Sequence, residues 1–141
     1  MLYDWNLGWL LGRRFLRLSH RGRRSGRVYR TMLEVIGEER ERHELFVMVG
    51  LGRSAQWYRN VVAGGAVEVA IGRERFSAAY RELESVEAAA VLGNYEQRNR
   101  VVAPVVRVVL SRLVGWRYDG SAPARQRLVR ERPILALRPA P

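Results

Sequence analysis

Between residues 28 and 81 the chain runs through short segments of strand character joined by turns. That pattern constrains the fold more than any other feature of the sequence. Residues 28–36 alternate, with Tyr29, Thr31, Leu33 and Val35 on one face and Arg30, Met32, Glu34 and Ile36 on the other. Gly37 to His43 is a charged turn. Leu45 to Val49 is apolar on both faces and is expected to be a central, buried strand. Val67, Val69 and Ile71 alternate in another strand, and Gly72-Arg73 turns the chain back into its hairpin partner over 74–81. A doubly wound parallel sheet needs regular strand–helix alternation, which is missing. The expectation is α+β: an antiparallel sheet or barrel with peripheral helices.

Helical periodicity fills the rest. Ser54 is the expected N-cap of a helix through Trp57, Tyr58, Asn60 and Val62, ended by Gly64-Gly65. Ser85 is the expected N-cap of a helix running to about Arg98, with Glu87 in its first turn. A valine-rich helix follows, with Pro104 near its start, and a short one occupies 122–131. Ile134 to Leu137 form a last strand behind Pro133. Residues 2–18 read as an amphipathic helix with Trp5, Trp9 and Leu16 on one side. Two readings of it stand: packing onto the domain, or lying in a membrane interface with Arg13, Arg14 and Arg17 at lipid phosphates. With 141 residues and no linker or repeat, residues 1–141 are read as one domain.

Composition then narrows the chemistry. No cysteine is present, which excludes a disulfide framework, a thiolate metal site and a cysteine nucleophile. With only His20 and His43, a histidine-rich metal site is not expected. Asp4 and Asp119 are the only aspartates and have no histidine to form a Ser-His-Asp triad. No stretch has the roughly 18 apolar residues of a membrane span, and no signal-peptide pattern is present, so the default compartment is the cytoplasm. All 25 basic residues are arginine, and the net charge is +11. Such a chain attracts polyanions: nucleic acid, anionic lipid or a phosphorylated cofactor. The densest basic cluster is Arg21-Gly22-Arg23-Arg24-Ser25-Gly26-Arg27, a glycine-punctuated turn suited to cradling an oxyanion. Gly50-Leu51-Gly52 follows a buried strand and precedes a helix, where backbone amides could meet a phosphate. A nucleic-acid-binding module is the competing class, though no helix–turn–helix, aromatic-basic RNP strand or zinc motif supports it.

Taken in order, these residues carry a resemblance. Leu18-x-x-x-Gly22-Arg23-Arg24-Ser25-Gly26 leads into a strand with Arg30 and Leu33. A glycine loop, Trp57-Tyr58-Arg59-Asn60 and Val67-x-Val69 follow, then Arg81-Glu82-Leu83, a helix reaching Tyr95, and Pro133-Ile134-Leu135-Ala136-Leu137. Over about residues 15–139 the chain resembles the deazaflavin-dependent nitroreductases, also described as reduced-F-420-dependent quinone reductases. The resemblance implies a split β-barrel related to flavin-binding barrels. It implies coenzyme F-420, whose deazaflavin ring carries a phosphate and a polyglutamate tail, with FMN as the alternative ligand of such a barrel. The reaction implied is hydride transfer to a quinone, nitroaromatic or enone acceptor; binding without turnover is the other outcome.

Carried over, Arg23, Arg24 and Ser25 hold the phosphate and tail, and Arg30, Thr31, Met32 and Leu33 run beside the ring or linker. Met48, Val49, Gly50 and Leu51 supply backbone contacts, and Gln56, Trp57 and Asn60 complete the cofactor wall. Tyr95 matches a tyrosine at the acceptor pocket. Tyr95, Ser54 or a backbone amide would stabilise the anionic product or deliver a proton. A homodimer is expected by analogy with other split barrels. The chain departs from the family pattern in carrying Arg24 for lysine, one extra residue between Gly26 and Arg30, and Met32-Leu33 for Pro-Leu. Its loop before Trp57 is shorter, and of the family's tyrosine cluster only Tyr95 is left.

Overall fold

The computed structural model describes residues 14–141. Seven strands form one antiparallel sheet: β1 Phe15–Arg21, β2 Val28–Glu34, β3 Gly37–Glu39, β4 Glu44–Met48, β5 Ala66–Ile71, β6 Glu74–Glu82 and β7 Ile134–Pro139. Their spatial order is β2-β1-β5-β6-β7-β4-β3. The helices are α1 Gln56–Asn60, which runs on into a π-helical turn over Val61–Gly65, then α2 Ser85–Arg98, α3 Ala103–Val114 and α4 Ala122–Glu131.

The sheet curls because one stretch of chain bonds to both of its ends. Val35 donates its amide to the Arg14 carbonyl at the start of β1, at 2.8 Å. The next residue, Ile36, donates to the Phe46 carbonyl in β4, also at 2.8 Å. Strand β2 thereby comes against β4, and the sheet becomes a half-barrel.

Two cores result. Leu16, Leu18, Leu45, Val47, Val69, Ile71, Leu135 and Leu137 fill the barrel interior. Phe46, Ile134 and Ala136 point the other way, into a second core with α2 and α4. Strands β4 and β7 are thus covered on both faces, which is why their sequences are continuously apolar rather than alternating. A buried carboxyl, Glu44, sits at the start of β4 and is satisfied by a bidentate bond from Arg81 at 2.8 and 2.9 Å.

Three local expectations are corrected. Residues 15–18 belong to β1, not to an N-terminal helix: Leu16 and Leu18 both point into the barrel with the period of a strand. The remainder of that expected helix lies outside the described residues. Ser54 does not cap α1; Ala55 holds the cap position with no side-chain bond. Likewise Glu84, not Ser85, precedes α2, which has no side-chain cap.

Leu137 is fully buried inside the barrel. Replacing it with alanine should cost about 2–5 kcal/mol of unfolding free energy, read as a lower urea midpoint. A loss near zero would mean that the barrel interior is not a packed core.

Candidate active site

The hairpin between β1 and β2 builds the basic end of a cleft. The Gly22 amide donates to the Arg27 carbonyl at 2.7 Å, and Gly26 donates back to Gly22 at 3.0 Å. A Cβ at 22 would lie 2.6 Å from the Ser25 Oγ and 3.0 Å from the Tyr29 ring, so a side chain there would displace both.

The loop is tied to the body of the protein through one buried amide, Asn60. Its Oδ1 accepts from the Arg23 backbone amide at 3.1 Å and from the Arg23 guanidinium at 2.8 Å. Its Nδ2 donates to His20 Nδ1 at 3.0 Å. The other guanidinium nitrogen of Arg23 donates to Gln56 Oε1 at 3.0 Å. Gln56 and Asn60 stand four residues apart on α1, hence on one face. Both acceptors of Arg23 are neutral amides, so the arginine is fixed in place while its charge stays available to an anion.

His20 is one of the cleft residues that sequence reasoning missed, with Tyr29 and Ala55. It is buried on β1 beside a bulge at Ser19/His20 that redirects the strand. Because Asn60 Nδ2 is a donor, His20 Nδ1 must accept, and the proton resides on Nε2. Nε2 then donates to Thr31 Oγ1 at 2.9 Å. Tyr29 stacks on the ring at 5.9 Å between centroids. Burial holds the imidazole below its ordinary value of 6.5 and keeps it neutral.

Together, His20, Gly22, Arg23, Arg24, Ser25, Tyr29, Arg30, Thr31, Leu51, Ala55, Gln56, Trp57 and Asn60 line a cleft of about 620 Å³. Its volume is within the usual range for a cofactor site. Arginines and hydroxyls cluster on the hairpin side, and Leu51, Ala55 and Trp57 make an apolar side.

A second, more apolar cavity of about 300 Å³ opens between β2, β4, α2 and α3. Met48, Gly50, Leu92, Val105, Val109 and Leu113 are among its walls, with Glu34 and Tyr95 as its polar members. Tyr95 Oη donates to Glu34 Oε2 at 2.8 Å. Burial, then this bond, pushes the Tyr95 phenol up to about 12, so it stays protonated across the neutral range.

The expected site residues thus divide. Arg23, Arg24, Ser25, Arg30, Thr31, Leu51, Gln56, Trp57 and Asn60 line the first cavity, and Met48, Gly50 and Tyr95 line the second. The loop after β4 connects them, since Gly50 faces one and Leu51 the other. Val49 points into the barrel core and is fully buried, as the alternation of a strand requires. Leu33 packs against the same core, and Met32 lines neither cavity. Ser54 is exposed and lines neither cavity.

The model of the F420H(2)-dependent quinone reductase family matches residues 7–107. This chain belongs to that family. It is an oxidoreductase, and membership implies coenzyme F-420 as its cofactor. Solved structures agree on the fold. One is an F420-H2 dependent reductase, FDR-A, at 20% identity and a TM-score of 0.50, covering 89% of this chain and 95% of that one. Another, described as a domain-swapped dimer, has 19% identity and a TM-score of 0.51, covering 97% and 99%. A protein of unknown function from Agrobacterium tumefaciens has 14% identity and a TM-score of 0.54, covering 99% of this chain and 55% of that one. No curated protein sequence matches the chain. Among the described residues, no helix is long and apolar enough to cross a membrane.

His20 provides a test of the cleft's architecture. Its folded pKa is depressed, so the unfolded chain binds the proton more readily. The stability held by the neutral ring is complete above about pH 6.5 and is lost as pH falls toward the folded value. His20→Gln should flatten the fall in urea midpoint between about pH 7 and pH 5. An unchanged slope would remove His20 from the account.

Proposed function

We propose that the first cavity binds coenzyme F-420 and that the second receives the acceptor, a quinone or another flat, activated electrophile. The observation that carries this reading is Arg23, held by two neutral amide oxygens and adjacent to Arg24, Ser25 and Arg30. A cationic hairpin beside an aromatic and aliphatic wall fits a ligand with an anionic tail and a flat ring. When bound, the reduced deazaflavin supplies a hydride from its C5.

The chain's residues do the rest. Arg23, Arg24, Arg30 and the Ser25 hydroxyl bind phosphate and carboxylates through charge-assisted hydrogen bonds. Trp57, Leu51 and Ala55 exclude water from the ring side. Met48, Leu92, Val106 and Leu110 give the acceptor an apolar seat. Tyr95 has a single O–H, which its raised pKa keeps protonated; it would turn that proton from Glu34 to an oxyanion developing on the seated acceptor. Glu34, its partner, orients the phenol. Ser54 has no part in this reading. Pairing of two copies through a sheet face is part of the proposal, and gel filtration against the 16.2 kDa chain mass tests it.

Arg23→Ala and Arg24→Ala should each weaken F-420 binding by about tenfold or more, with a shallower dependence on salt than the wild type. An unchanged dissociation constant would sink the cradle assignment. Tyr95→Phe should leave that constant alone and lower kcat/KM for menadione by about 10²-fold. Equal kcat/KM would remove Tyr95 from catalysis.

A further inference from the structure

Helix α3 is apolar on both sides. Ala103, Val106, Leu110 and Val114 face inward. On the opposite side Val105 is 65% exposed, Val108 54%, Val109 52% and Leu113 41%, and Val101, just before the helix, is 95% exposed. A helix that carries apolar residues on its exposed side as well as its buried one belongs against a second apolar phase. The exposed side continues into the acceptor cavity, since Val105, Val109 and Leu113 also line it.

Charge selects the phase. From Arg98 to Arg117 the sequence holds five arginines and no acidic residue. Arg112 lies one turn beyond Val108 and Val109, on the exposed face. Arg100 and Arg112 have no ion-pair partner among the described residues. A second copy pairing through this same face would set arginine against arginine, with no acidic residue between 98 and 117 to offset it. An anionic lipid surface instead offers phosphates to Arg100 and Arg112 and acyl chains to the valines.

We infer that α3 docks on an anionic membrane surface and opens the acceptor cavity toward lipid-dissolved quinone. The quinone role rests on the functional reading above. Docking itself is measured without turnover, so the two fail separately.

The test is co-sedimentation of the full chain with vesicles of phosphatidylglycerol and phosphatidylcholine, against phosphatidylcholine alone. Wild type should bind the anionic vesicles and release them at high salt. Val101→Glu with Val108→Glu, and Arg112→Glu, should each weaken binding about tenfold or more. These residues line neither cavity, so F-420 affinity and turnover of water-soluble menadione should be unchanged, while turnover of a long-chain quinone held in the vesicles falls. Three results would overturn the inference. Wild type could fail to bind anionic vesicles. Binding could survive the α3 variants and vanish with Trp5→Glu and Trp9→Glu. Or the α3 variants could convert a dimer to monomers, making this face an interface between copies.

Discussion

The site depends on the side chain of Asn60. A single buried amide fixes the Arg23 backbone, the Arg23 guanidinium and the His20 ring, using its acceptor twice and its donor once. Those bonds join α1, the β1–β2 hairpin and β1. Without them, among the described residues, the Gln56 bond alone would tie the Arg23 side chain to α1. Gly65 lets these elements approach: a Cβ there would lie 2.6 Å from both the Arg21 and the Asn60 carbonyl oxygens. The cation is therefore positioned before any ligand arrives, which lowers the ordering cost of binding.

The barrel supplies the rigid frame for this arrangement. Strands β4 and β7, buried on both faces, hold the loop that carries Gly50 and Leu51 between the two cavities. The Val49 amide is bonded to the Pro133 carbonyl at 2.8 Å, which anchors the start of that loop to the strand behind it. Hydride transfer needs the two ligands, cofactor and acceptor, in direct contact, so the acceptor would have to reach past the Gly50–Leu51 loop onto the ring.

Much of this was legible in the sequence. Period-two alternation identified β2, β5 and β6, and the doubly apolar run at Leu45–Val49 identified a strand covered on both sides. The resemblance grouped Arg23 with Gln56, Trp57 and Asn60, and all four line one cleft. What stayed hidden depends on tertiary geometry. Leu16 fits a helical stripe with Trp5 and Trp9 as well as it fits a strand, and only pairing with β2 and β5 decides between them. His20 reaches the cleft beside a bulge, and Glu34 meets Tyr95 across 61 residues of sequence. Neither relation leaves a local pattern. The side chains of Val49 and Leu33, two residues carried over from the resemblance, pack toward the barrel core as strand alternation turns them.

The most direct measurement is an equilibrium titration of the full chain with coenzyme F-420, followed by tryptophan fluorescence, with FMN in parallel. Trp57 lines the cleft, so a bound deazaflavin should quench it saturably at micromolar or lower concentration, and Trp57→Phe should lose most of that signal while retaining the charge of the cradle. FMN should bind far more weakly. Preference for FMN, or quenching by neither, would contradict the assignment of the cleft.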